Sequence, residues 1–526
     1  MEMDFDWRGV NGLAYMLGGR IELLEKLIEL KGLTPEMIQI INDSGLSSDF
    51  FEDTEDGGFV EKPLSKMKLN FKFDEVNALS NALGSRIELL ERLIESAGLS
   101  KDVIDVINES DYRKDFMMLY GFHIDSNESD PFEAVTYLAD AVGMKPAHMN
   151  YKTGKFDYGS WEDAFFMPRP CMLKYDGTVD YYLDPNDYSK KEDGTASDVS
   201  DFAYEGNAMM EWGRDGKKIW YKIVPDEDDN TSASIYFSEY KLDEGFHAWS
   251  FINNQGDLVD HFYTPIYNGT LDTNGKLRSI SGKANTDLCQ GKTPQQEITA
   301  AELNNPGEDK LWYTEVFSDT LLIELLLVLI GKSLNTQAVF GNGVVDTGMN
   351  AQGMIGTGTM DDKGLFFGAN DMATGVKVFG IENFWGNQDR HFAGLMSIEK
   401  VIKYKMTYGT DDGSEAEGYN TTAVGYLAAN NLIDFNGNLD ITKHMFTEDG
   451  GMFFAELTTD GSWTTYYTDV GVISSGINYP HRGGCCYNYF GAGAFYCHLG
   501  TRVSWSGPHW WLLGAAPSCK PLAKSN

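Results

Sequence analysis

His481-Arg482-Gly483-Gly484-Cys485-Cys486-Tyr487-Asn488-Tyr489-Phe490-Gly491-Ala492-Gly493-Ala494-Phe495-Tyr496-Cys497-His498 is a run of rings, small residues and thiols without a single Lys or Glu. The bias extends well beyond it, for no Lys, Glu, Gln or Met occurs from Leu457 to Cys519, although the chain holds 21 Met in all. At average usage roughly ten residues of these types would fall in such a window. Long flexible side chains lose much rotamer entropy when immobilised, whereas Tyr, Trp and His offer wide contact area on two χ angles, which is the economy of a binding surface. A Gly- and aromatic-rich β core is the competing reading of the same residues.

Working outward, the chain of 526 residues has a formal net charge of −37, with 42% hydrophobic and 13% aromatic residues. It is long enough for two or more domains with a full core. No basic stripe is present to neutralise phosphates, so nucleic acid is not an expected partner, and an anionic membrane surface is disfavoured too. Met1-Glu2-Met3-Asp4 lacks the basic and apolar regions of a signal peptide. The longest apolar run, Leu321 to Ile330, is interrupted by Glu324 and too short to span a bilayer, so it reads as a buried helix. Six scattered cysteines do not make a disulfide framework. A soluble protein made in a cytoplasm is the expectation.

An internal repeat fills the first 110 residues: Val10 to Asp43 aligns with Val76 to Glu109, identical at 19 of 34 positions. Val10, Ala14, Leu17, Ile21, Leu24 and Ile28 alternate in steps of four and three, a heptad seam. Gly32 and Gly98 would stop the helices, giving two helix–turn–helix units, with an acidic linker from Ser47 to Pro63. Asp130-Pro131 reads as the start of a further helix carrying Val135, Leu138 and Val142 and ending at Gly143. Strands follow. Met172 to Leu183 is a hairpin around Asp176-Gly177, Ile219 to Val224 and Ala248 to Ile252 are β-type, and Ser318 caps an apolar helix closed by Gly331. The expected class is α+β: N-terminal helical repeats as a coiled-coil-like assembly module over 1–110, a helical connector over 111–157, and a large β-rich domain over 158–526.

Several stretches together carry a resemblance. They are Gly177-Thr178-Val179-Asp180-Tyr181-Tyr182-Leu183, Leu322-Ile323-Glu324-Leu325-Leu326, Val378 to Asn387 with Glu382-Asn383-Phe384-Trp385-Gly386-Asn387, Gly491 to Phe495, and the tail Gly514-Ala515-Ala516-Pro517-Ser518-Cys519. The chain from about 130 to 526 resembles tail or surface-fibre proteins of bacteriophages that end in a C-type-lectin-like domain of the formylglycine-generating-enzyme subtype. The same domain carries the variable region of receptor-binding proteins diversified by retroelements. The resemblance implies a virion protein, commonly a homotrimer. It attaches to other virion proteins through its N-terminal part and binds a host-surface glycan or protein receptor through a variable region at 480–519. It also implies scaffold roles for Gly491, Ala494, Phe495, Leu499, Trp511 and Gly514. Adenine-directed mutagenesis of Asn-type codons cannot produce Lys, Glu, Gln, Met or Trp. The first four absences fit such a history, while Trp505, Trp510 and Trp511 would be fixed scaffold.

The ligand-facing candidates are Tyr487, Asn488, Tyr489, Tyr496, His498, Arg502, Trp505 and Trp510, with the loop Tyr408 to Asn420 as the next place to look. Sugar C–H faces lie on rings, and sugar hydroxyls pair with amide, guanidinium and imidazole groups. The subtype's namesake is a copper oxidase with two cysteines five positions apart. Cys497 stands eleven or twelve from Cys486 and Cys485, so that chemistry is not expected. With 79 Asp and Glu, a hidden glycan hydrolase stays open, as does a purely structural virion role. No cofactor is expected; the oxygen clusters Asp226-Glu227-Asp228-Asp229-Asn230 and Asp411-Asp412 could hold a structural Ca²⁺.

Overall fold

The computed structural model describes residues 51–53, 59–61, 118–348, 351–407, 423, 425–433, 437–488, 491–502 and 512–523. The chain divides into two compact units, Met1–Met117 and Met118–Asn526. In the first, the described residues are two short strands, Phe51–Asp53 and Phe59–Glu61, paired antiparallel inside the stretch expected to be a linker. The heptad repeats themselves lie outside the described residues.

The expected α+β class is corrected. The described residues are mostly strand, with a curled half-barrel and only three helices, and no N-terminal helical repeat is among them. The connector shows why. Val135, Leu138 and Val142 follow helical spacing, yet Val135–Ala139 is a strand that pairs with Leu119–Ile124. Val135 and Tyr137 turn inward on a period of two, and Asp130 closes a single turn by accepting the Phe132 N–H at 2.9 Å. A short apolar run satisfies both periods, and a ready partner strand decided between them. Ala248 to Ile252, expected as β, holds a 3-10 turn at Trp249–Phe251.

Three large sheets and three two-stranded ribbons make up the described strands of the second unit. A four-stranded sheet runs Trp220–Pro225, Ala233–Ser238, Leu119–Ile124, Val135–Ala139. In a seven-stranded sheet the last strand of the chain, Pro517–Cys519, lies between Trp312–Thr314 and Phe262–Pro265. The hairpin around Asp176-Gly177 forms there as read, from Arg169–Lys174 and Val179–Asp184, with Gly177 at φ +79°. A ten-stranded sheet contains Ile477–Arg482 and Cys497–Arg502 side by side, the second running parallel to Val470–Ile473.

The helices are α1 (Pro294–Glu302), α2 (Phe317–Gly331) and α3 (Thr336–Phe340). α2 is apolar all round and buried at every position but Glu324, as an amphipathic helix on a surface would not be. Its boundaries differ from the reading in detail. Val316 is the N-cap, Ser318 makes no cap bond, and Lys332 rather than Gly331 takes the left-handed C-cap at φ +49°. Gly331 is needed for packing, since a Cβ there would lie 3.1 Å from both Val339 and Phe340 of α3.

Where α2 meets the large sheet, Glu315 accepts from Arg482 and lies 3.4 Å from the Arg390 Nε. All three side chains are buried. Removing the carboxylate would leave two guanidinium ions without a counter-charge, and breaking such a pair commonly costs about 3–5 kcal/mol. Glu315→Gln is therefore expected to lower unfolding free energy by about that amount, read as a fall in denaturation midpoint.

Candidate functional site

The candidate region begins where the strand Ile477–Arg482 ends. Gly483 and Gly484 follow at φ +82° and +69°, a conformation that L side chains rarely adopt. A Cβ on Gly483 would meet the Phe384 carbonyl oxygen at 2.8 Å, and one on Gly484 would collide with Ala492. The two glycines let the chain turn back tightly against the core.

The turn Glu382 to Asn387 holds it from beneath. Lys377–Val378 and Ile381–Glu382 form a hairpin through Phe379 and Gly380, both at positive φ, as a two-residue loop demands. Trp385 is fully buried and its indole donates to the Gly341 carbonyl at 3.1 Å. The Gly386 N–H donates to the Gly483 carbonyl at 2.8 Å, and the Asn387 carbonyl accepts the Cys486 N–H at 3.2 Å. The Asn387 amide clasps Ile355 in turn, accepting its N–H at 2.8 Å and donating to its carbonyl at 3.2 Å.

On this base Cys485 to Asn488 forms a turn, closed by the Asn488 N–H to the Cys485 carbonyl at 3.1 Å. The Asn488 Oδ1 accepts both the Cys485 N–H and its thiol, each at 2.8 Å, and the Nδ2 donates to the Tyr496 hydroxyl at 3.3 Å. Asn488 thus braces the turn more than it faces a ligand. Tyr487, between the two, is 39% exposed.

Tyr496, expected to face a ligand, is buried at 3% exposure, and this is a correction. It follows Gly493, whose carbonyl accepts the Tyr496 N–H at 3.3 Å, and this tight turn carries the ring inward under the Cys485–Asn488 turn. His498 is partly buried and stacks on His481, ring centroids 4.2 Å apart. Its Nδ1 accepts the Gly500 N–H at 3.1 Å, so the neutral ring carries its proton on Nε2. Burial pushes that imidazole down to about 3. Behind it His481 lies 3.3 Å from Asp389, and His391 lies 2.7 Å from the buried Glu297 of α1. Burial raises Asp389 to about 7. Arg502 pairs with Asn478 through the backbone, its side chain outside the described residues. Tyr489, Trp505, Trp510 and the loop Tyr408 to Asn420 also lie outside them, as does Trp511. Ala494, Phe495, Leu499 and Gly514 are buried.

One residue that the reading from Tyr487 onward missed is Trp463, 57% exposed at the tip of the tight turn closed by Ser462 and Thr465. It belongs to the same stretch without Lys, Glu, Gln or Met, so the compositional signal already covered it.

The chemistry available is recognition by rings and amides. Burial pushes the Cys485 and Cys497 thiols well up and Cys486 to about 11, so none is an activated nucleophile near neutral pH. The described residues include no group of three or more His, Cys, Asp or Glu placed to hold a metal. In the Asp226–Asn230 cluster, Asp229 is occupied by Thr231 and Ser126; Asp411 and Asp412 lie outside the described residues. In comparisons with known proteins, no family model matches the chain and no curated protein matches its sequence.

Beneath the run, His444 packs against Tyr467 and Phe495, with centroids 4.0 and 5.7 Å away. Burial holds this imidazole down at about 3. The folded state therefore binds a proton less readily than the unfolded chain, whose imidazole titrates near 6.5. Its contribution is complete above that pH and is lost as pH falls towards the folded value. Between pH 7.5 and pH 5 the loss from this ring is about 2 kcal/mol. His444→Asn should shrink the stability difference between those two pH values by about that amount, as measured by urea unfolding at each.

Proposed function

We propose that this chain is a non-enzymatic receptor-binding protein of a bacteriophage virion, a tail or surface fibre. In this reading the run from Tyr487 to Trp510 holds a host-surface receptor, a glycan in the first instance. The observation that carries it is the presentation of Tyr487. Tyr487 is 39% exposed on a turn whose backbone is held by Asn488, by the glycine pair and by the Glu382–Asn387 turn, while its neighbours Cys485 and Cys486 are buried. A ring held ready in this way loses little entropy on binding. The compositional bias from Leu457 to Cys519 supports the same reading, and the buried, protonated thiols support a binder over an oxidase.

The duplicated sequence of residues 1–110 suits attachment and self-association in the virion, with three copies as the proposed state. Retroelement-driven variation of the C-terminal run belongs to the same proposal and is tested by comparing genomic copies of this segment.

Exposed binding rings should carry affinity and little stability, and buried ones the reverse. Tyr487→Ala is expected to weaken adsorption to host cells at least about tenfold, at nearly constant melting temperature. Phe495→Ala, at 3% exposure, should cost about 3–5 kcal/mol of folding free energy. Paired adsorption and calorimetry measurements decide it: a Tyr487→Ala protein that melts early but adsorbs normally refutes the assignment.

A further inference from the structure

A wide cleft among the described residues lies away from the Tyr487 turn and shares no residue with it. It has a volume of about 800 Å³ and opens beside the seven-stranded sheet. Pockets that bury small ligands commonly run from about 300 to 1,000 Å³. Its sides come from the Asp176-Gly177 hairpin turn, the segment Leu258 to Tyr263, the segment around Asp309, and the chain just after the last strand, Pro521 to Ala523.

The inner end is built around Glu211, on the strand Gly206–Trp212 and only 4% exposed. The Tyr182 hydroxyl donates to its Oε1 at 3.0 Å and the Tyr263 hydroxyl to its Oε2 at 2.9 Å. Tyr182 is itself fixed, because the Arg169 guanidinium lies 3.5 Å from its ring centroid and pairs with both oxygens of Glu192. A carboxylate offers about four lone-pair directions, so each oxygen of Glu211 keeps capacity for a further donor.

The charge of the lining selects the ligand. Asp176, Glu211, Asp260 and Asp309 line the space, and among the described residues no Lys or Arg does. Lys218 is already 3.0 Å from Asp260, and Arg169, which lies over the Tyr182 ring, is paired with Glu192. An acidic ligand would meet like charge on the described lining residues, whereas hydroxyl and amino groups would find acceptors. Leu258 and Leu522, exposed at 42% each, supply apolar wall for the C–H faces of a sugar ring.

We infer that this cleft is a second ligand site, and that it takes a saccharide bearing no acidic group, hydrogen-bonded to Glu211. The inference goes beyond the receptor reading, because it needs nothing from the Tyr487 turn.

The test uses the full chain and saturation-transfer NMR with three probes: mannohexaose, a glucosamine hexamer and trigalacturonic acid. At least one of the first two should bind with a millimolar or lower Kd, and the galacturonate should not. Glu211→Gln, which still accepts from one tyrosine, should weaken that binding about tenfold, the difference between a charge-assisted and a neutral hydrogen bond. Leu258→Lys, at an exposed wall position, should weaken it as well by placing a competing cation beside the carboxylates, with the fold unchanged by circular dichroism. Tyr487→Ala should leave it intact. Absence of binding by both non-acidic probes at millimolar concentration overturns the inference. So does equal binding of the galacturonate, or binding that survives Leu258→Lys unchanged or disappears in Tyr487→Ala.

Discussion

Glu315, shared between Arg390 and Arg482, is the interaction on which the large unit turns. The carboxylate stands between the strand Trp312–Thr314 and the start of α2, so it belongs to the seven-stranded sheet and the central helix at once. Arg390 and Arg482 come from two strands paired with each other in the ten-stranded sheet. Arg482 also donates to the Phe384 carbonyl at 2.8 Å and lies 3.9 Å from that ring's centroid. One buried cluster thus ties together both sheets, the helix and the Glu382–Asn387 turn. Two cations on one anion leave the cluster short of negative charge, and burial lowers Arg390 to about 10. A guanidinium tolerates this better than an ammonium would, being weakly hydrated and flat enough to lie on a ring.

The candidate region inherits its shape from that cluster. Arg482 is the last strand residue before the glycine pair, so its fixed position sets where the Cys485–Asn488 turn starts. At the other end the chain returns to the core through Leu513–Gly514 and Pro517–Cys519. There Lys520, fully buried, lies 3.1 Å from Asp319 in the first turn of α2. The segment between is anchored on both sides by buried charge pairs. Side chains that point outward from such a segment can change with little effect on the sheets beneath, which is the physical condition for a variable binding surface.

Recognition and packing are kept apart in this region even though both use aromatic rings. Phe495, Tyr496 and Tyr467 fill the interior with His444, His481 and His498 among them, and burial keeps those imidazoles neutral near pH 7. Tyr487 and Trp463 stand outside. The exposed rings are therefore a small part of an aromatic-rich stretch.

Local rules in the sequence determined the features that depend on a few adjacent residues. Asp176-Gly177 specified its hairpin because the turn needs a residue that accepts positive φ. Leu321 to Ile330 specified a buried helix because only an apolar interior accepts so much apolar surface, Glu324 being its one charged residue. What tertiary structure decided was every choice between two faces or two periods. Val135 to Val142 fits a helix by spacing, yet Val135–Ala139 became a strand because Leu119–Ile124 offered a partner for its backbone. Tyr487 and Tyr496 are the same residue type in one short run, and only the tight turn at Gly493 and the bracket of Asn488 send one ring out and the other in. Glu211 could not be singled out among 79 acidic residues, because its two tyrosine partners lie 29 and 52 positions away in the chain. Long-range pairing of that kind leaves no periodic trace in a sequence, and it is what places the carboxylate in a cleft.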